Sequence, residues 1–208
     1  TRGWVYELLS LYCGISRDQI VPYRLGTDEV RCARAILPSY CYTQEFTFHS
    51  YVREFYRSFG GVEEGAAPKT RKILISRRNM GQSNRSFPHR EHFENMGCEF
   101  GYEIIRPEET SITDQIRLFS EARAVVGEHG SGMHNSVFSQ SGTVIGCLGF
   151  WNSVQLRLGE LIGHRNVYLT RGCKWPTPEQ NEYLLGMSVE DLRSFFGKIE
   201  EILATPVA

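Results

Sequence analysis

Between residues 71 and 203 the chain alternates short apolar, β-branched runs with longer stretches of helical periodicity, a pattern that few folds accommodate. Strand-like runs fall at 71–76, 99–105, 124–127, 143–148 and 166–169. Helical patterns fall near 90–96, at 112–122, directly after the third run, at 154–162 and at 189–203. Ser111 stands where the N-cap of the helix at 112–122 belongs, and Asp114 lies in its first turn, where a carboxylate meets the positive end of the helix dipole. Five strand-then-helix steps predict an α/β fold built on a Rossmann-like, doubly wound parallel sheet. Such a sheet binds ligands outside the carboxyl ends of its strands.

Those ends carry Ser76-Arg77-Arg78-Asn79, Arg106-Pro107-Glu108, Glu128-His129-Gly130-Ser131-Gly132, Gly149-Phe150-Trp151-Asn152 and Thr170-Arg171. The third is the most informative. A β-branched run enters a glycine-rich turn that opens a segment with Met133, Val137 and Phe138 on one face. Gly127, Gly130 and Gly132 allow a ligand to approach the main chain, and free N–H groups at a helix start point to the same place. That combination is an anion site, usually for phosphate, with Ser131 and His129 as added donors and Glu128 as an acceptor; tight strand-to-helix packing is the alternative reading. Successive strand residues point to opposite faces, so one of Arg77 and Arg78 is expected to reach this turn and pair with phosphate oxygens. Trp151 or Phe150 is placed to stack on a base or a sugar face, or to pack in the core.

Residues 1–60 read as a mostly helical remnant of, or linker from, an amino-terminal domain. They carry helical patterns at 4–12 and roughly 49–59, with strand-like pieces at 19–23 and 34–37. The loop at 60–70, rich in glycine, alanine and glutamate, leads into a second domain at 61–208. A start at Thr1, close to a helical pattern, is expected of a fragment or processed product, which leaves room for a removed signal or anchor.

A net charge of −1 provides no general attraction to nucleic acid or to an anionic membrane, and no apolar run approaches the roughly 20 residues of a membrane span. Neither nucleic acid nor membrane contact is therefore expected of this segment. The six cysteines (Cys13, Cys32, Cys41, Cys98, Cys147 and Cys173) include no C-x-x-C pair, so a zinc site of ordinary spacing is not expected. His89 and His92 share a helix face but lack a third ligand, so no metal site is assigned. Asn84-Arg85-Ser86 is a glycosylation sequon, relevant only in a secretory lumen.

Taken together, Lys72-Ile73-Leu74-Ile75-Ser76-Arg77-Arg78-Asn79, Ile105-Arg106-Pro107-Glu108 with Ser111 and Gln115, Leu118-Phe119 with Ala122, and the run from Val126 to Phe138 resemble the family 61 glycosyltransferases. This family includes plant xylosyl- and arabinosyltransferases and animal N-acetylglucosaminyltransferases that modify proteins. The resemblance extends from about residue 70 to 150. No single piece is specific, but their order and spacing together are.

The resemblance implies a GT-B architecture, of which this chain would be mainly the carboxyl-terminal, donor-binding half. It also implies inverting transfer from a nucleotide sugar, UDP-linked, to a glycan or glycoprotein acceptor, with metal dispensable. By position, Arg77 and Gly130-Ser131-Gly132 would hold the diphosphate, with Arg78 beside them and His129 and Asn135 shaping the pocket. The implied compartment is the Golgi or endoplasmic reticulum lumen for a eukaryotic chain and the cytoplasm for a bacterial one.

Two departures stand out. Many members carry a glutamate shortly after the strand that follows the glycine turn, where this chain reads Val144-Ile145-Gly146-Cys147-Leu148. Members are also longer ahead of the position of Thr1, so most of the acceptor-side domain is expected to lie outside this sequence. An inverting transferase needs a general base, and Glu128 and His129 are the candidates on the rim. A non-catalytic nucleotide- or glycan-binding module is the competing reading. A dehydrogenase is disfavoured, because the glycine turn follows the third strand and lacks G-x-G-x-x-G spacing.

Overall fold

The computed structural model describes residues 3–36, 47–60, 69–79, 85–151 and 153–205. In chain order these form α1 (Gly3–Cys13), α2 (Tyr51–Gly60), β1 (Arg71–Ile75), β2 (Arg85–Ser86), α3 (Arg90–Glu99), β3 (Glu103–Ile105), α4 (Ile112–Ser120), β4 (Ala122–Glu128), β5 (Val144–Leu148), α5 (Ser153–Ile162), β6 (Arg165–Leu169), β7 (Cys173–Lys174), β8 (Tyr183–Leu185) and α6 (Val189–Ala204). Short 3₁₀ helices occupy Arg17–Gln19, Pro107–Glu109 and Ser131–Phe138.

Five strands form one sheet in the order β3-β1-β4-β5-β6, every neighbouring pair parallel. Counting only these strands along the chain, the spatial order is 2-1-3-4-5. The winding direction therefore reverses between β1 and β4, the point where such sheets open a crevice for ligands. Helices cover both faces. On one, Leu74, Val126 and Leu148 pack with Phe93 and Met96 of α3 and with Phe195, Phe196 and Ile199 of α6. On the other, Met133 of the third 3₁₀ helix lies so close to β4 that a Cβ added at Gly127 would come within 2.7 Å of its sulfur. The doubly wound Rossmann-like sheet expected from the alternation is thus the fold of this chain.

The strands form where the β-branched runs predicted them, and the helix starts follow their caps. Ser111 Oγ accepts from Asp114 N–H, and Ser188 makes a full capping box with Asp191 at the start of α6. Three expectations are revised. Of the run at 99–105 only Glu103–Ile105 is strand; Glu99 ends α3 and Gly101 turns the chain at φ 78°. The segment after the glycine turn is 3₁₀ rather than α, with Met133 N–H bonded to Gly130 C=O. The pieces at 19–23 and 34–36 form no strand, and Leu37 lies outside the described residues. A strand needs a partner edge for its N–H and C=O groups, and among the described residues neither piece pairs with one.

The chain divides into two compact units, Thr1–Cys41 and Tyr42–Ala208. In the first, Ser16 and Gln19 cap a 3₁₀ turn, and the Arg17 guanidinium lies 4.8 Å from the Tyr6 ring. In the second, α2 packs against the third 3₁₀ helix through an edge contact of Tyr56 with Phe138, centroids 5.5 Å apart. The expected loop at 60–70 falls mostly outside the described residues.

A second sheet, not anticipated from the sequence, has the order β2-β8-β7, with β2 parallel and β7 antiparallel to β8. It closes on the rim of the large sheet through a backbone approach of Gly172 to Gly186. A Cβ at Gly172, whose φ is 72°, would lie 2.5 Å from the Gly186 carbonyl oxygen.

The core turns on Phe196, fully buried and ringed by Phe93, Phe100 and Tyr102 at 5.5, 5.2 and 5.3 Å. Phe196→Ala is expected to cost about 3–5 kcal/mol of unfolding free energy, read as a lower urea midpoint at unchanged slope.

Candidate functional site

The crevice at the switch point is framed by the residues that leave β1 and β4. Ser76 is buried; its N–H bonds Ile105 C=O and its hydroxyl donates to Glu94 at 2.7 Å. Beyond it the two arginines part, as alternation requires. Arg78 turns to α3, where its guanidinium lies 3.5 Å from Glu91 and 3.6 Å from Glu94. Arg77 turns to the glycine turn. Of this pair the structure brings only Arg77 to the crevice.

Gly130 makes that approach possible. Its φ of 149° is a conformation that favours glycine, and a Cβ there would lie 3.1 Å from Nη1 of Arg77 and 3.0 Å from Nη1 of Arg85. Arg85, on β2, also donates to the His129 carbonyl. Among the described residues the Nε atoms of Arg77 and Arg85 are buried without a hydrogen-bond partner, as is that of Arg106, which follows β3. Among the described residues neither Arg77 nor Arg85 has a carboxylate within ion-pair distance. Burial first, and the Arg77 charge second, hold the Arg85 pKa below its ordinary value. The N–H groups of Ser131 and Gly132, ahead of the first 3₁₀ bond, lie on the same turn. Half-buried cations, main-chain donors on the turn and, among the described residues, no carboxylate at ion-pair distance are the chemistry an anion would meet here.

The other residues singled out in the sequence sit differently. Glu128 is 3% exposed and gives both carboxylate oxygens to Arg90, at 2.8 and 3.3 Å. The guanidinium ties α3 to the turn through this carboxylate and stabilises its charged form. His129 is buried, its ring edge-on to Phe150 and Tyr183 at 5.3 and 5.7 Å, with Nδ1 unpartnered. Burial and then the charges of Arg85 and Arg77 lower its pKa to about 4, so the imidazole is neutral at neutral pH. A proton taken up there would create a third cation beside two, which makes His129 a weak base.

Asn135 donates to Gln115 at 2.7 Å, and Gln115 in turn bonds the carbonyls of Pro107 and Thr110. It braces the 3₁₀ helix against the start of α4. Ser131 is exposed at the rim, and Gly132 packs at ordinary distance from Ile75 and Pro107. Trp151 is exposed and makes no ring contact among the described residues. A second exposed indole, Trp175, does make ring contacts: its centroid lies 4.2 Å from that of Phe150, the planes tilted by 39°, and 5.5 Å from that of Tyr183.

Sequence reasoning missed Arg85, Arg90, Tyr183 and Trp175. Arg85 and Tyr183 are paired in register across β2 and β8, a contact between residues about a hundred positions apart that leaves no local signal. Arg90 was legible only as a helix-start residue. Among the described residues no three His, Cys, Asp or Glu side chains gather as a metal site, the five cysteines other than Cys41 are free thiols, and no helix is long and apolar enough to cross a membrane. Asn84 of the sequon lies outside the described residues.

The family model described as Glycosyltransferase 61 matches residues 4–146 of the chain, more than half its length. No curated protein matches it.

His129 ties this site to stability. Its folded pKa lies below the roughly 6.5 of an unfolded histidine, so the unfolded chain binds the extra proton first as pH falls. Its contribution is complete above pH 6.5 and is lost between about 6.5 and 4, up to about 3 kcal/mol. His164, with a pKa also near 4, adds in the same window. His129→Asn is expected to flatten this acid limb in denaturant melts run from pH 7 to 4.

Proposed function

Because the chain belongs to glycosyltransferase family 61, its activity is glycosyl transfer, and we propose that the crevice between β1 and β4 holds the diphosphate of a nucleotide-sugar donor, UDP-linked. The observation that carries this reading is the pair of guanidinium groups against Gly130, half-buried and, among the described residues, without a carboxylate at ion-pair distance. A diphosphate supplies the missing counter-charge and accepts from the Ser131 and Gly132 N–H groups. Asn135 and Glu128 act at one remove, fixing the 3₁₀ helix and α3.

In the proposed reaction the acceptor hydroxyl of a glycan or protein attacks the anomeric carbon from the face opposite the nucleotide. The new bond forms to the acceptor oxygen as the carbon–oxygen bond to the diphosphate breaks, with inversion. The hydroxyl proton passes to a base, and the electron pair of the broken bond leaves on the diphosphate. Arg77 and Arg85 stabilise that charge as it develops, the role a divalent metal plays elsewhere, so the donor is held without one. The domain is proposed as the donor half of a GT-B arrangement.

A second reading, binding of the nucleotide without transfer, draws on a specific observation. Both rim candidates for the base are compromised, Glu128 by Arg90 and His129 by its neighbouring cations. Incubation with UDP-sugars separates the two, since turnover to free UDP or to glycosylated acceptor excludes the binding-only reading.

Calorimetric titration with UDP in the presence of a chelator tests the site. Wild-type protein is expected to bind, and Arg77→Ala to lose about 1–3 kcal/mol of binding free energy, the range for a charged hydrogen bond. Unchanged affinity in a folded Arg77→Ala protein would remove Arg77 from the diphosphate site.

A further inference from the structure

An indole that is 64% exposed is normally unconstrained, yet Trp175 is held by two other rings in tilted contacts, Phe150 at 4.2 Å and 39° and Tyr183 at 5.5 Å and 59°. Phe150 is itself buried and meets His129, the residue before Gly130. The rings thus form a continuous path from the anion turn to an open aromatic surface, in steps of 5.3 and 4.2 Å. The same small sheet fixes both ends: Arg85 on β2 is paired with Tyr183 on β8, and Trp175 directly follows β7. Trp151 is equally exposed at 64% but has no such support among the described residues.

We propose that the open surface of Trp175, braced by Phe150 and Tyr183, carries the base of the donor nucleotide. The assignment rests on the diphosphate reading of the neighbouring turn. With phosphates at Gly130, a ribose spans the two ring steps and delivers a flat π-system to the only supported indole found among the described residues. Stacking there is favourable because the two χ angles of Trp175 are already fixed by packing, so little freedom is lost on binding. Phe150, Trp175 and Tyr183 all lie beyond the 4–146 span matched by the family model, so the platform is a feature read from this chain itself.

The test compares ligands with and without a base on the 208-residue chain. Inorganic pyrophosphate probes the anion turn alone; UDP and GDP add a ribose and a base. Trp175→Ala is expected to weaken the tighter-binding nucleotide by about 5- to 150-fold, the range for losing one base–aromatic stack, while leaving pyrophosphate affinity unchanged. Trp175→Phe should recover most of the loss, and nucleotide, but not pyrophosphate, should quench wild-type tryptophan fluorescence.

Nucleotide affinity unaltered by Trp175→Ala overturns the platform, as does an equal loss for pyrophosphate, or a loss that follows Trp151→Ala instead. A Trp175→Ala protein that binds nucleotide normally but shows a raised acceptor KM also overturns it, placing an acceptor sugar on the ring. If wild-type protein binds pyrophosphate and nucleotides equally, the platform falls and the diphosphate site stands. If it binds neither, both fall together.

Discussion

The Arg85 guanidinium donates to the His129 carbonyl while Arg77 presses against the glycine that follows, and the rest of the rim is arranged around that crowding. The two half-buried charges repel, and among the described residues neither Nε has a hydrogen-bond partner, a cost of about 1–3 kcal/mol for each bond left unmade. The backbone of Gly130 is the hinge of the arrangement, because any side chain there would occupy the space the guanidinium groups share.

The charges beside this pair are arranged so that they do not quench it. Glu128 is close enough for its field to be felt at Arg85, but its oxygens are turned to Arg90. Arg78, next to Arg77 in sequence, is neutralised by Glu91 and Glu94 on α3. Carboxylates thus hold the outer arginines and leave the inner ones open. The same geometry explains why the nearest imidazole is a poor proton acceptor: burial and the positive potential of Arg85 and Arg77 oppose the protonation of His129.

Much of this architecture was legible in the sequence. The alternation of β-branched runs with amphipathic segments predicted a doubly wound sheet, and Ser111 with Asp114 marked a helix start that the hydrogen bonds reproduce. The strand-end rule pointed to Ser76-Arg77 and to the turn at Gly130. What local pattern could not supply was the direction of individual side chains. Asn135, expected to shape the pocket, donates to Gln115, and of two equally exposed indoles it is Trp175, not Trp151, that meets Phe150 and Tyr183 among the described residues.

The sequence by itself determined the class of fold, the place of the glycine turn and the fact that one of two adjacent arginines would meet it, because these depend on periodicity, backbone freedom and alternation within a few residues. Tertiary structure alone decided which arginine, which partner each carboxylate takes, and that Arg85, Tyr183 and Trp175 belong to the same rim. Those outcomes depend on a small sheet whose strands are two or three residues long and far apart in the chain. Strands that short have no periodicity to read, and only the packing of β2, β7 and β8 against the large sheet gives them a position.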